Sequence, residues 1–281
     1  MPEFTAADVA ALRQQTGAGM MDCKQALTES DGDREAATDW LRAKGLAGAS
    51  KRAGRAAEEG AVEVLVRDGV GAIVELTAET DFVAKSDEFT RTVESLATLA
   101  VDEGTAELAA LSFEGSTVEE HVTQLAARLG EHVVVGRTIV FETSDGLLDG
   151  YKHPQFDRYV IGVLVELGGV DRDDAAAKAV AHDVALHVAS AAPQYRVRED
   201  VPADVLDRER AVLEERTRNE GKPEPAVAKI VEGRLNAFYK ETVLLEQPFV
   251  KDPKQSIAKL VGGLGPDAIV RRFARVKIGE D

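Results

Sequence analysis

The feature of this sequence that most constrains its fold is a repeated order of elements, two strands followed by one helix. In the first copy, valines alternate with other residues over 62–66, turn residues follow at 68–71, and AIVELTAET supplies a second strand. In the second copy, GLLDGYKH and RYVIGVLVELG have the same strand character. Apolar residues at helical spacing follow each pair, after a cap at Ser86 and over 173–191. The repeat predicts an α+β core of two related subdomains with small antiparallel sheets.

Helical segments flank this core. Residues 5–46 predict three short helices, the first begun by a capping box at Thr5 and Asp8 and the third ended by Gly45. The small, basic stretch KGLAGASKRAGRAAEEG that follows is typical of a linker. Residues 203–246 predict two antiparallel helices joined at GKPEP, which would project as a coiled-coil arm with little core of its own.

These patterns divide the chain into five segments. The first core subdomain also contains a helix begun by Thr117 and Glu120 and a returning strand, HVVVGRTIVFE, while VRRFARVKIGE predicts a closing strand near the C-terminus. The predicted segments are an N-terminal helical domain with its linker (1–55), the core N-subdomain (56–142), the first part of the core C-subdomain (143–200), the helical hairpin or coiled coil (201–248), and the closing part of the core C-subdomain (249–281).

Charge and cysteine content exclude several classes of partner and compartment. The 281 residues include 34 Lys plus Arg and 50 Asp plus Glu, a formal net charge of −16, which disfavours binding to nucleic acid or to an anionic membrane. Cys23 is the only cysteine, so no intramolecular disulfide forms. The acidic N-terminal sequence is unlike a signal peptide, and no stretch approaches a membrane span. We expect a cytoplasmic protein.

Motifs of covalent chemistry are missing from the sequence. There is no GxxxxGK[ST], HExxH, paired CxxC, GxSxG, or GxGxxG after a strand. The closest pair of histidines, His182 and His187, is five residues apart, which does not place two rings on one metal in a helix. Cys23 lies at helical spacing from Ala26 and Leu27, which favours a buried side chain over a nucleophile. We therefore expect no enzyme activity, no metal and no cofactor.

The most unusual segment is TAETDFVAKSDEF, in which an aromatic residue falls between a strand and a helix. The strand ends at Thr80, and Asp81, Phe82 and Val83 occupy the connection before the helix capped at Ser86. Composition alone favours Phe82 folding back onto the local core over an exposed wedge, without excluding either.

Five motifs, in this order along the chain, resemble the bacterial elongation factor Ts family. They are TGAGMMDCKQALTE (16–29), TDFVAK (80–85), LGEHV (129–133), YKH (151–153) and VEGRL (231–235). The resemblance implies a small three-helix, UBA-like N-terminal domain, a two-part α+β core and a protruding helical hairpin, which agrees with the segments above. It also implies that Phe82 is exposed.

The function implied by the resemblance is guanine nucleotide exchange on elongation factor Tu during translation elongation. The factor would bind elongation factor Tu in its GDP-bound and nucleotide-free forms, disturb its magnesium and phosphate site, and release GDP so that GTP can load. The element that does so would be Thr80 to Val83, with Asp81 and Phe82 as its central residues. The factor would perform no covalent chemistry of its own.

The resemblance also implies partner contacts outside that element. These are Met20, Met21 and Lys24 in the N-terminal module, Leu129, Gly130, Glu131 and His132 in the core, and His153. His132 stands where the family more often has asparagine, which puts a contact through that side chain in doubt. The helical hairpin is a candidate surface for self-association. The main alternative function is a non-catalytic adaptor that captures its target with the N-terminal module.

Overall fold

The computed structural model describes residues 4–52 and 54–280, and its N-terminal part is a small three-helix module. Helices α1 (Ala6–Thr16), α2 (Met20–Glu29) and α3 (Arg34–Arg52) enclose a core that includes Leu12, Cys23 and Leu27. The predicted capping box of Thr5 and Asp8 is present at the start of α1, and Gly17 ends that helix in the left-handed conformation. The burial predicted for Cys23 is confirmed.

The prediction that the third helix ends at Gly45 and passes into a linker was wrong. Helix α3 continues to Arg52 through the small residues, because there it packs against the helix α6 (Val118–Leu129) of the core. A Cβ atom on Gly45 would come 2.8 Å from the Ala127 Cβ, so this glycine allows the two helices to approach closely. The stretch whose composition is typical of a linker therefore extends α3, which packs against α6.

The first half of the core is a three-stranded antiparallel sheet covered by two helices. Strand β2 (Val70–Ala78) pairs with β1 (Glu59–Arg67) on one side and with β5 (Val134–Glu142) on the other. Between β2 and β5 lie α4 (Asp81–Ala84), α5 (Asp87–Glu103), the short strands β3 (Ser112–Phe113) and β4 (Ser116–Thr117), and α6. The predicted caps at Ser86 and Thr117 are both confirmed.

The second half repeats this topology. Strand β7 (Arg158–Gly168) pairs antiparallel with β6 (Leu147–Gln155) and with the C-terminal strand β10 (Ile269–Lys277). Helix α7 (Ala175–Ala191) follows β7 as α5 follows β2. In each half, a hairpin and a helix precede a third strand that pairs with the second, so the predicted repeat is confirmed at the level of strand order.

The two sheets pack face to face at the centre of the molecule. Buried residues of both sheets meet there, including Val62 and Ile73 from the first and Leu164 from the second. Helices α5 and α6 cover the outer face of the first sheet, and α7 covers that of the second. Gly162 permits the close approach, since a Cβ there would lie 2.5 Å from Val62 Cγ1. This arrangement confirms the predicted α+β fold class.

The segment between α7 and β10 contains the predicted helical hairpin. A 3₁₀ turn (Arg198–Asp200) leads to α8 (Ala203–Asn219), and α9 (Glu224–Thr242) follows the break at GKPEP. The pair encloses its own small core of Leu213, Val227, Val231 and Leu235. A second 3₁₀ turn (Leu244–Glu246), strands β8 (Pro248–Phe249) and β9 (Asp252–Ser256), and α10 (Ile257–Gly262) lead into β10. The domain limits given above stay predictions.

Candidate partner-binding surface

The segment 80–84 forms a one-turn helix that points an aromatic side chain into solvent. The connection between the strand and the helix capped at Ser86 is itself helical, since α4 spans Asp81–Ala84 and Thr80 is its N-cap, with the Thr80 hydroxyl accepting from the Val83 N–H at 3.4 Å. Ala84 is buried and Val83 packs against the core, while the Phe82 side chain is 83% exposed. Of the two readings of Phe82, the structure matches the exposed one.

A carboxylate from the loop after α6 holds the start of α4. Glu131 accepts the Thr80 N–H at 3.0 Å through Oε2 and the Thr80 hydroxyl at 2.6 Å through Oε1. Both oxygens of one charged group therefore bind a single residue, which is the strong, geometrically restrictive form of hydrogen bonding. This contact brings together two of the predicted site segments, 80–83 and 129–132.

The rest of that loop is fixed by the residue that precedes Thr80. The His132 N–H donates to Glu79 Oε1 at 2.7 Å, and this bond, with Arg55 nearby, holds the pKa of the Glu79 carboxyl below its ordinary value. The His132 ring is also bound within the chain, with Nδ1 2.8 Å from the Arg55 carbonyl oxygen. Leu129 ends α6 and Gly130 caps it with a φ of +75°. The His132 side chain thus has an intramolecular role.

Asp81 is paired with a lysine at the other end of α4. Lys85 Nζ donates to Asp81 Oδ2 at 2.6 Å, and this bond holds the pKa of the Asp81 carboxyl below its ordinary value. The same ammonium lies 5.1 Å from the centroid of the Phe156 ring, in the turn between β6 and β7. Sequence reasoning named neither Lys85 nor Phe156 as a site residue. The sequence feature that could have indicated Phe156 is an aromatic residue in a short turn between two predicted strands.

His153 lies on β6, three residues before Phe156, and is exposed. The Tyr151 hydroxyl and His153 Nδ1 are 3.0 Å apart, so the tyrosine fixes the orientation of the ring. Tyr151 in turn makes an edge contact with the His182 ring, whose Nδ1 is 3.0 Å from Asp149 Oδ2. Burial raises the pKa of the Asp149 carboxyl. His153 thus lies three residues before Phe156, the turn residue whose ring contacts Lys85 at the end of α4.

The three predicted contact residues of the N-terminal module share the outer face of α2. Met20 and Met21 are 54% and 74% exposed, and Lys24 is exposed beside them at helical spacing. Large apolar side chains of this kind are usually buried, and methionine adapts its shape to a partner. The structure joins this module to the core through the packing of α3 against α6.

The part of the chain that the structure describes contains no group of three or more histidine, cysteine, aspartate or glutamate residues that could hold a metal ion. Within the same residues, no helix combines the length and apolar character that crossing a membrane requires.

Comparison with known proteins gives one consistent result. Residues 79–280 match the family model described as Elongation factor TS. Elongation factor Ts of Micrococcus luteus is 47% identical over 284 residues, covering 99% of this chain and 100% of that protein. The Renibacterium salmoninarum protein of the same name is 46% identical, with 99% and 100% covered. That of Rhodospirillum rubrum is 46% identical, with 100% and 94% covered.

Proposed function

The chain belongs to the elongation factor Ts family, and from that premise we propose that it is the guanine nucleotide exchange factor for elongation factor Tu. It binds the GDP-bound form of that GTPase, promotes GDP release and so allows GTP to load during translation elongation. The observation that carries the proposal is the Phe82 side chain, 83% exposed on a helix whose N-cap, Thr80, is held by Glu131. A translation factor of this kind acts in the cytoplasm.

In the proposed mechanism, Phe82 enters a gap that exists only when helices of the partner are displaced. Burying an aromatic side chain contributes about 1.5–3 kcal/mol, and this free energy is available only in the displaced state. Binding therefore shifts the partner toward that state. Coupling between two ligands is reciprocal, so a factor that weakens GDP binding is itself weakened by GDP. A coupling of about 3 kcal/mol corresponds to a change of about 150-fold.

Displacement of these helices disturbs the magnesium and phosphate site of the partner. Magnesium neutralises phosphate charge and demands near-ideal octahedral geometry, so a small shift of its ligands weakens the hold on GDP. The factor needs no metal and no covalent step of its own for this effect. Once GDP has left, the more abundant nucleotide loads by mass action.

The remaining site residues are proposed to act in two ways. Thr80 and Glu131 bind each other, and we assign them to holding α4 in place rather than to contacting the partner. Asp81, Phe82 and Val83 form the wedge itself. Direct contacts outside the wedge are assigned to Met20, Met21, Lys24 and His153, which are exposed, and to Leu129 and Gly130 at the edge of the loop, whereas the His132 side chain stays bound within the chain.

The test is the release rate of a fluorescent GDP from purified elongation factor Tu with excess unlabelled GDP. The native chain should accelerate release, and Phe82→Ala should lose most of that effect while remaining folded, since its ring makes little contact within the chain. Ile269→Ala, which truncates a 51% exposed apolar residue on β10, is the matched control and should behave as native.

Three outcomes separate the alternatives. If the native chain binds the GTPase without changing GDP release, the exchange function is wrong and the adaptor function replaces it. If the native chain and Phe82→Ala accelerate release equally, the exchange function stands and the wedge is wrong. If the native chain neither binds elongation factor Tu nor accelerates GDP release, the exchange function and the wedge are both wrong.

A further inference from the structure

The turn between β6 and β7 carries a second exposed aromatic side chain. Phe156 is 81% exposed, nearly as much as Phe82. The Lys85 ammonium lies 5.1 Å from the centroid of its ring and donates at 2.6 Å to Asp81. One lysine side chain therefore joins the turn to the helix that presents Phe82, and the two aromatic residues belong to one continuous surface.

The backbone at Phe156 is unfavourable for a bulky side chain. Phe156 and Asp157 form a two-residue turn between the paired residues Gln155 and Arg158, and φ at Phe156 is +55°. Glycine adopts a positive φ without steric cost, and asparagine and aspartate do so more readily than other residues. A phenylalanine there is strained, and its exposed ring gains little from the fold.

The corresponding hairpin of the first half shows what fold stability alone favours at this position. Strands β1 and β2 are joined by Asp68 and Gly69, with φ of +52° and +82°. Asp-Gly is one of the residue pairs best suited to a tight hairpin. Both hairpins have a two-residue turn whose first residue has a positive φ, yet the second one places an aromatic residue where the first has a turn-forming aspartate.

Resting on the proposed exchange function, we propose that Phe156 is a second apolar contact for elongation factor Tu, buried together with Phe82 when the complex forms. A strained and exposed aromatic costs the free protein stability, and a partner that covers the ring offsets that cost. Aromatic side chains are enriched at the centres of protein interfaces, where they act as anchors. Lys85 contacts both the Phe156 ring and Asp81 of α4. We therefore assign the ring to the same partner that α4 binds.

Two turn-compatible substitutions test this contact, Phe156→Gly and Phe156→Asn. Both remove the ring and relieve the backbone, so their melting temperatures should equal or exceed that of the native chain. Their affinity for nucleotide-free elongation factor Tu, measured by isothermal titration calorimetry, should be about tenfold weaker, or about 1.4 kcal/mol. Asp68→Gly makes the same kind of change in the other hairpin and should leave the affinity unchanged. Phe82→Ala and GDP release by the native chain are measured in parallel.

Each contrary result has a separate meaning. If both Phe156 variants bind as the native chain does while Phe82→Ala binds more weakly, the second contact is wrong and the exchange function stands. If the native chain fails to accelerate GDP release, the exchange function falls and the second contact with it. If both variants melt below the native chain, the ring stabilises the free protein, and the strain argument and the partner contact that rests on it are wrong. If they change self-association in light scattering and not partner affinity, the ring contacts a second copy of this chain, and the proposal is wrong.

Discussion

Replacing Thr80 by valine separates holding the wedge from contacting the partner. Valine has nearly the same shape as threonine and cannot donate to Glu131 Oε1, a bond of 2.6 Å in the native chain. A hydrogen bond to a charged group contributes about 1.5–3 kcal/mol, and an N-cap about 1 kcal/mol. The capping contact to Val83 is long, at 3.4 Å, and the site is half-buried, so the combined loss should be about 2 kcal/mol.

This loss should appear first as local opening of α4. A change of about 2 kcal/mol raises the equilibrium constant for opening about 30-fold. Hydrogen exchange should report it at the amides of Ala84 and Lys85, which donate to Thr80 and Asp81 carbonyls at 3.2 and 3.1 Å. Acceleration of GDP release should fall with it, although Phe82 is intact, because an opened helix must be ordered again on binding.

The matched control is Thr80→Ser, which keeps the hydroxyl and should resemble the native chain in both assays. One result would refute the anchoring role. If Thr80→Val slows nucleotide exchange while amide exchange in α4 stays as in Thr80→Ser, the threonine side chain acts directly on the partner. Our assignment of Thr80 and Glu131 to holding α4 would then be wrong.

Two further predictions concern stability. Gly162→Ala would place its Cβ 2.5 Å from Val62 Cγ1 between the sheets, and it should lower the free energy of unfolding in urea by about 1–3 kcal/mol. Gly233→Ala lies in open space on α9 and should raise the free energy of unfolding by up to about 1 kcal/mol. Equal effects of the two substitutions would contradict the packing argument. Burial lowers the pKa of His187, so its contribution is complete above the unfolded value of about 6.5 and is lost as pH falls below it. His187→Gln should therefore show a smaller loss of stability in urea between about pH 7.5 and 5.5 than the native chain, and an equal loss would exclude His187 as a cause.

Local patterns in the sequence predicted the elements of the fold well. The caps at Thr5, Ser86 and Thr117 depend on residues within three positions of each other, so their signals are complete in a short window. The repeated strand order was visible because each strand, turn and helix in it has its own local pattern. The end of α3 was not, because the small residues after Gly45 continue as helix by packing on α6, about 80 residues away. That contact is tertiary and overrides local propensity.

The candidate site shows the same division between local and distant signals. The helix cap at Thr80 and the pairing of Asp81 with Lys85 are short-range and follow from residue spacing. The bond between Thr80 and Glu131 joins residues 51 positions apart, and no pattern in either segment indicates it. Phe156 was missed because an aromatic in a turn is informative only when its φ and exposure are known.

Exposure and anchoring at α4 serve one physical requirement. A wedge on a mobile loop would lose conformational entropy on binding, and that loss would subtract from the free energy available to displace the helices of the partner. Glu131 and Lys85 hold both ends of a one-turn helix that would be unstable alone, so most of this loss is incurred when the factor itself folds. The free energy of burying Phe82 then remains available for the coupling to GDP. Weakening the anchors should therefore reduce exchange without any change in the wedge side chain, which is the result expected for Thr80→Val.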